Sequence, residues 1–184
     1  ATLGFAPHLD RGIMIGVVLS LSVFVYKSMR PKVASLARFE DMSFRCASTH
    51  GLQECRYVAL VRFEGSLFFA NASYLEDKIN ELMRKRRQLK HIVIVANGIN
   101  DIDASGEEVL SLIVDTVRSA GIDISLSGVN ESVMNVLKRT HFTERIGEDH
   151  LHPTMEQAVA TVHGQTHRTG EEEACPLLNV CRLA

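Results

Sequence analysis

The sequence predicts an α/β domain, with a largely parallel sheet flanked by about four helices, preceded by one apolar helix that is either transmembrane or buried. Residues 91–96, His-Ile-Val-Ile-Val-Ala, form an apolar run rich in β-branched residues, typical of a central strand covered on both faces. Strand-like and helix-like segments then alternate, which requires parallel strands with helices packed on them. Residues 12–26 contain no charge, so a helix there would be apolar on every side.

Composition limits the range of functions. The chain has 184 residues, 46% of them hydrophobic, and a formal net charge of -2. This length fits one globular domain with an accessory segment. The near-neutral charge provides no polyanion-binding surface, so we expect no nucleic-acid partner.

The four cysteines are sparse and include no Cys-x-x-Cys pair, a pattern that favours a reducing compartment over a disulfide scaffold. Their nearest approach to a metal-ligand cluster is the loose trio Cys46, His50 and Cys55. The sequence therefore predicts no metal site and no cofactor.

The apolar run near the N-terminus is a candidate membrane segment. Its 15 residues, Gly12 to Tyr26, would form a helix of about 22 Å, shorter than the roughly 30 Å hydrocarbon core. Only Arg11 precedes the run closely, whereas four basic residues follow it, Lys27, Arg30, Lys32 and Arg38. This asymmetry marks the cytoplasmic end of a membrane helix and disfavours a signal peptide, leaving a buried soluble helix as the alternative. Because the chain starts with Ala, we expect it to be a piece of a longer protein.

Four segments follow from these patterns. We predict a terminal transmembrane helix segment at 1–30, a basic linker at 31–38, the α/β domain at 39–164, and a flexible tail or linker at 165–184. The tail is inferred from its polar composition, with Glu171, Glu172 and Glu173 in sequence.

The domain's elements follow from periodicity and turn residues. Strands are predicted at 57–63, 67–69, 91–96 and 122–127. A helix begins at about Ala72, and another carries its apolar face on Val109, Leu112, Ile113, Thr116 and Val117 before Gly121. Asn130 and Thr154 are predicted to cap the two remaining helices.

A basic run, Arg84, Lys85, Arg86 and Arg87, closes the first of these helices. Cations at a helix C-terminus complement its partial negative charge, so a solvated helix end explains the run. Contact with anionic lipid head groups is the alternative, since the domain should lie against the membrane.

The loop after the central strand is the best functional candidate, because α/β folds place working residues there. We single out Asp101, Asp103, Ser105 and Gly106 as a partner-contact loop. Ser105 with Glu108 has the spacing of a capping box. A hydroxyl at a helix N-terminus is also a candidate phosphorylation site, although the neighbouring carboxylates would repel a phosphate. No hydrolase, kinase or metalloprotease motif is present, so we predict no catalytic site and no enzyme activity.

Two blocks in this order resemble a known family. Residues 62–71, Arg-Phe-Glu-Gly-Ser-Leu-Phe-Phe-Ala-Asn, are similar to the first conserved block of STAS domains in sulfate permeases (SulP). Residues 102–106, Ile-Asp-Ala-Ser-Gly, resemble their Asp-x-Ser/Thr-Gly loop, and residues 12–31 are similar to the last transmembrane helix of those transporters. The resemblance covers about residues 9 to 163.

The resemblance implies a secondary active transporter of anions such as sulfate or bicarbonate, whose substrate site lies in membrane helices that this chain lacks. It places the chain at the cell (inner) membrane, with a regulatory STAS domain in the cytoplasm. The implied partners are the transporter's membrane domain, a cytoplasmic regulatory protein, membrane lipid, and a second copy in a homodimer formed through the full-length transporter.

Two alternatives remain open. Soluble anti-sigma-factor antagonists share the fold, and a partner kinase phosphorylates the serine that precedes the glycine in their Asp-Ser-Ser-Gly loop. Ser105 matches that serine, but the apolar helix and the Phe-Phe-Ala-Asn block disfavour this class. A membrane-anchored STAS scaffold without transport is the third hypothesis. A full-length gene that encodes a dozen or so upstream membrane spans would dismiss it, and an initiator Met just before Ala1 would support it.

Overall fold

A computed structural model describes residues 9–40, 43–167 and 175–178. Its centre is a six-stranded sheet in the order β2-β1-β3-β4-β5-β6. Strands β3 to β6 are parallel, whereas β1 is antiparallel to both of its neighbours. The predicted α/β class with a largely parallel sheet is thereby confirmed. The strands are β1 (Lys32–Arg38), β2 (Phe44–Cys46), β3 (Val58–Glu64), β4 (His91–Val95), β5 (Asp123–Ser127) and β6 (Leu151–His152).

Seven α-helices accompany the sheet in the described part of the chain, two of them single turns. They are α1 (Leu9–Ser28), α2 (Ala47–His50), α3 (Ala72–Lys85), α4 (Ala104–Ser119), α5 (Glu131–Arg139), α6 (Phe142–Ile146) and α7 (Met155–Thr166). The predicted caps Asn130 and Thr154 are confirmed: their side chains accept hydrogen bonds from the backbone N–H groups of Val133 and Gln157. Both contacts satisfy donors that a helix start leaves unpaired.

The core lies on both faces of the sheet. Strand β4 is buried along its whole length, and its alternate residues point to opposite faces. Ile92 and Ile94 join the cluster beneath α3, α4, α5 and α6, whereas Val93 and Val95 join the cluster beneath α7. Coverage on both faces explains why β4 is apolar throughout rather than alternating.

Helix α1 projects from this core. Its 20 residues correspond to about 30 Å, the thickness of a bilayer's hydrocarbon region. By length and composition the stretch Asp10–Ser28 could cross a membrane, and none of it is buried against the rest of the chain. The helix is longer than the apolar run because polar residues at both ends continue it.

The segment 31–38, predicted to be a basic linker, is instead mostly strand β1. It pairs with β2 on one side and β3 on the other, and Leu36 and Ala37 are buried. The segment was interpreted as a basic linker because of Lys32 and Arg38 at its two ends, but the uncharged residues between them are enough to form a strand. The domain therefore begins before residue 39.

Two smaller predictions were wrong. Residues 67–69 do not form a strand, since only Leu67 makes an isolated bridge, to Ile102. Leu112 is 49% exposed, because the buried face of α4 runs through Leu110, Ile113, Val114 and Val117.

The predicted flexible tail is also corrected where the structure describes it. Helix α7 continues to Thr166, and the segment 175–178 packs against the α7 face of the sheet. Cys175 and Leu177 are each 2% exposed, and the Leu177 carbonyl accepts a hydrogen bond from Arg38 Nη1 at 3.0 Å. The rest of the predicted tail, 168–174 and 179–184, lies outside the described residues, as do residues 1–8 of the N-terminal segment.

Gly106 allows the first turn of α4 to lie against the chain that follows β3. A β-carbon there would meet the Leu67 carbonyl oxygen and come within 2.9 Å of the carbonyl carbon. Backbone cannot yield as a flexible side chain can, so the position requires glycine for close approach.

We therefore expect Gly106→Ala to lower the free energy of unfolding by about 1–3 kcal/mol, the usual cost of overpacking. Gly164→Ala is the matched control, since nothing lies within 4 Å of its added β-carbon. It should leave stability unchanged or raise it by about 0.5–1 kcal/mol through helix propensity. Urea unfolding of the 184-residue chain in detergent, followed by circular dichroism, measures both. Equal stability of the two variants would contradict the close-approach argument.

A buried histidine lies at the start of β4. His91 is 2% exposed, and its Nε2 lies 2.9 Å from Ser125 Oγ. Its ring stacks on His150, whose Nε2 lies 2.8 Å from Asp123 Oδ2. Burial lowers the pKa of His91 to about 4, and the positive charge of His150, His152 and Arg118 acts in the same direction while Asp123 opposes it.

Because the folded-state pKa of His91 lies below its unfolded value, protonation favours the unfolded chain. Stability should be complete above about pH 6.5 and fall as the pH decreases toward 4. The His91 share between pH 7 and pH 5 is about 2 kcal/mol. His91→Gln should remove that share of the pH dependence in urea unfolding at the two pH values, whereas the exposed control His141→Gln should not. An unchanged pH dependence in His91→Gln would rule out the neutral buried imidazole.

Candidate functional site at the carboxyl edge of the sheet

Three loops meet at the carboxyl edge of the parallel strands. Residues 65–71 follow β3, residues 96–103 follow β4, and residues 128–130 follow β5. The chain that leaves α1 joins the sheet at this edge too, because Lys32, four residues beyond the helix, pairs with Glu64 at the end of β3. The predicted partner-contact loop and the apolar helix are thus brought to one side of the domain.

Asp103 is the centre of this edge. Its Oδ1 accepts a hydrogen bond from the Gly106 N–H at 2.7 Å, and its Oδ2 accepts one from the Phe69 N–H at 3.1 Å. Asp103 is therefore the N-cap of α4, and the predicted Ser105–Glu108 capping box is wrong. Aspartate caps helices as well as serine does, and here the second oxygen gains a partner that the sequence does not reveal.

Backbone hydrogen bonds tie the same two loops together. The Leu67 N–H donates to the Asp101 carbonyl at 2.8 Å, and the Asp103 N–H donates to the Leu67 carbonyl at 3.1 Å. With the Asp103 side chain, these contacts make residues 65–71 and the start of α4 one hydrogen-bonded unit. Displacing either part would leave backbone groups unpaired.

Ser105 lies in the first turn of α4, half-buried, between the exposed Ala104 and the buried Gly106. Its hydroxyl has no hydrogen-bond partner among the residues that the structure describes, so it is not held in a cap. Asp101 is exposed, and its Oδ1 accepts a hydrogen bond from the Ile102 N–H at 2.9 Å. The predicted loop residues are brought together, but in different roles: Asp103 and Gly106 hold the loop, and Asp101 and Ser105 face outward to differing degrees.

Asn71 joins this unit to α1. The side chain is 2% exposed, and its Oδ1 accepts a hydrogen bond from the Phe68 N–H at 3.0 Å. Its Nδ2 donates to the Ser66 carbonyl at 2.9 Å and to the carbonyl of Ser28, the last residue of α1, at 3.3 Å. The Ser28 carbonyl is one of the groups that a helix end leaves unpaired. Sequence reasoning missed this role, since an asparagine before a helix suggests an N-cap, and Asn71 makes no such contact.

An apolar pocket of about 510 Å³ lies between the end of α1 and the loop 65–71. Phe24, Met29 and Pro31 line it from the α1 side, and Phe68 and Phe69 from the loop. Phe69 is 74% exposed, so the apolar surface of α1 continues onto the domain. A surface of this kind marks contact with membrane or with another protein.

The third loop is fixed to the second. Besides capping α5, Asn130 donates from Nδ2 to the Ile99 carbonyl at 2.5 Å, and Ser132 Oγ donates to the Asn100 carbonyl at 3.3 Å. The carboxyl edge is therefore a continuous hydrogen-bonded surface from α5 to α1.

The basic run lies at the opposite edge. Helix α3 starts beside Asn71 and runs back along the sheet, so Arg84 and Arg87 are about 20 Å from the α1 junction. Arg86 is occupied by an ion pair with Glu54 and donates to the Cys55 carbonyl, and Lys85 is paired with Glu81. This placement argues against lipid contact by the run beside α1. The predicted solvated helix end fits Arg84 and Arg87, which are both exposed.

The loose trio Cys46, His50 and Cys55, from which the sequence predicted no metal site, does not form a ligand cluster in the described part of the chain. Cys46 lies in β2 with its sulfur 3.2 Å from Ser48 Oγ, whereas Cys55 lies beside His167 and Cys175. Sequence reasoning missed this second grouping because 112 residues separate Cys55 from His167. A distant pair of this kind has no local spacing to detect.

Comparison with known proteins supports the family that the two blocks suggest. A family model of the STAS domain matches residues 51–158, more than half of the chain. Sulfate transporter 3.2 of Arabidopsis thaliana is 23% identical over 182 residues, covering 91% of this chain and 28% of that transporter. Residues 31–184 make up 154 of the 184 residues, about 84% of the chain. Because the alignment covers 91% of the chain, it includes part of the segment 1–30. The chain spans about a quarter of the length of the curated relatives it matches.

Solved structures show the same fold. The murine Slc26a9 anion transporter in its inward-facing state matches with a TM-score of 0.70 and 21% identity, over 85% of this chain and 26% of that one. A candidate anti-sigma factor antagonist of Thermotoga maritima matches with a TM-score of 0.52 and 21% identity, over 62% of this chain and 95% of that one. At these identities the likeness concerns the fold alone. The chain belongs to the STAS domain family.

Proposed function

We propose that the chain is the cytoplasmic regulatory STAS domain, together with the last membrane helix, of a secondary active transporter of sulfate or a related anion. The observation that carries this proposal is the joint at Asn71, where the folded domain holds the carbonyl end of an unburied apolar helix about 30 Å long. A domain with that attachment can alter how the helix leaves the membrane. The curated relatives named as sulfate transporters support the transporter part of the proposal.

The charges around the joint support a cytoplasmic domain. Lys27 lies in the last turn of α1, Arg30 lies two residues beyond the helix, and Lys32 begins β1. Cations concentrated at one end of a membrane helix mark its cytoplasmic side. The apolar surface of Phe69 would then lie next to the membrane or to the transporter's membrane domain.

Regulation would act through the hydrogen-bonded edge. A partner that binds the exposed Asp101, or a charge added at Ser105, would change the first turn of α4. A phosphate on Ser105 would lie close to the Asp103 carboxylate, and like-charge repulsion would weaken the cap. Asp103 also holds the Phe69 N–H, so the disturbance would pass to the loop 65–71 and from Asn71 to α1. Ser105 is thus the proposed regulatory residue.

An anti-sigma-factor-antagonist role remains the second candidate. Ser105 favours it, because this residue is half-buried, makes no capping hydrogen bond and directly precedes Gly106. Small soluble antagonists lack the apolar helix that Asn71 contacts here. The hydrogen bond between Asn71 and α1 therefore favours the transporter. A membrane-anchored scaffold would keep the joint but move no anion.

The test is uptake of labelled sulfate and bicarbonate by cells that express the full-length protein. Asn71→Ala should reduce uptake on the order of fivefold or more at equal surface abundance, because it uncouples the domain from α1. Asn135→Ala, an exposed asparagine on α5, is the matched control and should transport normally. Ser105→Glu should reduce uptake through repulsion of Asp103, while Ser105→Ala should not.

Normal uptake in Asn71→Ala would contradict regulation through the joint. If neither anion enters and the Ser105 variants instead change binding of a kinase, the antagonist role replaces the transporter. Absence of both effects in a protein that still reaches the membrane would leave the scaffold.

A further inference from the structure

A cluster of soft ligands lies away from the carboxyl edge, at the end of α7. Cys55 precedes β3, His167 directly follows α7, and Cys175 begins the packed segment 175–178. His167 Nε2 lies 3.4 Å from Cys55 Sγ and 3.5 Å from Cys175 Sγ, and the three ligand atoms lie within 4.8 Å of one another. The start of β3 and two segments at the end of the domain thus bring their ligand atoms together.

These distances match tetrahedral zinc. Zinc–sulfur bonds of about 2.3 Å and zinc–nitrogen bonds of about 2.0–2.1 Å, at tetrahedral angles, separate sulfur from nitrogen by roughly 3.5 Å. Both observed sulfur–nitrogen separations agree with that value. A metal between the three atoms would need little movement of the backbone.

The surroundings favour a soft metal. Cys55 and Cys175 are each 2% exposed and belong to the apolar cluster that includes Val58 and Val162. Two thiolates with imidazole select zinc over the hard cations, which prefer oxygen ligands. Glu54, the nearest acidic residue in sequence, is paired with Arg86.

A candidate for the fourth ligand lies one helical turn away, outside the group of three ligand atoms. His163 lies four residues before His167, and their rings stack with centroids 4.0 Å apart. The Nε2 atom of His163 is buried and has no hydrogen-bond partner in the described part of the chain. An unpaired buried nitrogen is costly, and binding to a metal would satisfy it. The spacing His-x-x-x-His is one that structural zinc sites use.

A disulfide between the two cysteines is the competing explanation. It would leave both imidazoles without a role, and their placement beside the sulfurs would be unexplained. The sparse cysteines of the chain also favour a reducing compartment, in which thiols persist.

We propose that Cys55, His167 and Cys175, with His163 as the fourth ligand, form a structural zinc site. Binding converts the two thiols to thiolates and releases their protons to solvent. The metal fastens the segment 175–178 to α7 and to the start of β3, where Leu177 also packs and accepts a hydrogen bond from Arg38. Zinc would therefore control whether the chain beyond α7 is docked on the domain.

The test uses the 184-residue chain in detergent, kept reduced with a phosphine and titrated with Zn²⁺ against a chelator. We expect one zinc per chain. Loss of a supporting partner of a zinc ligand already costs roughly 10–100-fold in affinity, so Cys55→Ser and Cys175→Ser should each lose at least about a hundredfold. His163→Gln should lose about tenfold. Cys46→Ser is the matched control and should bind as the unaltered chain does, because Cys46 lies outside the cluster.

Substitution of Zn²⁺ by Co²⁺ in the unaltered chain tests the ligands independently of the variants, so the test holds even if a variant fails to fold. The unaltered chain should show the intense visible bands of tetrahedral cobalt and a thiolate-to-cobalt charge-transfer band, both abolished by excess Zn²⁺. Circular dichroism of each variant separates loss of metal from loss of fold. Absence of stoichiometric zinc from the reduced chain, a disulfide forming in its place, or equal affinity in all three cysteine variants would overturn the site.

Discussion

The Asp103 carboxylate is the contact on which the rest of the carboxyl edge depends. One oxygen holds the first turn of α4 and the other holds the Phe69 N–H, so a single side chain fixes the loop after β3 against the helix after β4. Gly106 makes this possible, because any larger residue would push the helix away from Leu67. A charged acceptor also binds N–H donors more strongly than a neutral one does.

From this contact a series of hydrogen bonds leads to α1. The loop that Asp103 fixes contains Asn71, and Asn71 holds the carbonyl end of α1. The sheet provides stiff support, since β1 begins only four residues after the end of α1 and pairs with β3 along most of its length. The domain is therefore joined to α1 both by the chain and by a side chain.

Much of the fold followed from the sequence because its signals were local. The apolar strand β4 and the caps Asn130 and Thr154 each depend on residues a few positions apart. Contacts between distant residues were not predictable in this way. Ser105 had the spacing of a capping box, yet Asp103 is the N-cap of α4. Its carboxylate also accepts a hydrogen bond from the N–H of Phe69, 34 residues earlier, which the sequence does not reveal. Likewise, β1 was mistaken for a linker since its pairing with β3 outweighs its terminal charges, and Cys175 was assigned to a tail because its partner Cys55 is remote.

Hydrogen exchange in the 184-residue chain, reconstituted in lipid, tests the central claim most directly. Asp103→Ala should accelerate amide exchange in the first turn of α4, in the loop 65–71, and also in the last turn of α1, where the Met29 N–H donates to the Val25 carbonyl. Asp101→Ala, which removes a carboxylate without a role in the cap, should leave α1 unchanged. Faster exchange confined to the start of α4 in Asp103→Ala would show that the domain and α1 are not coupled through this contact.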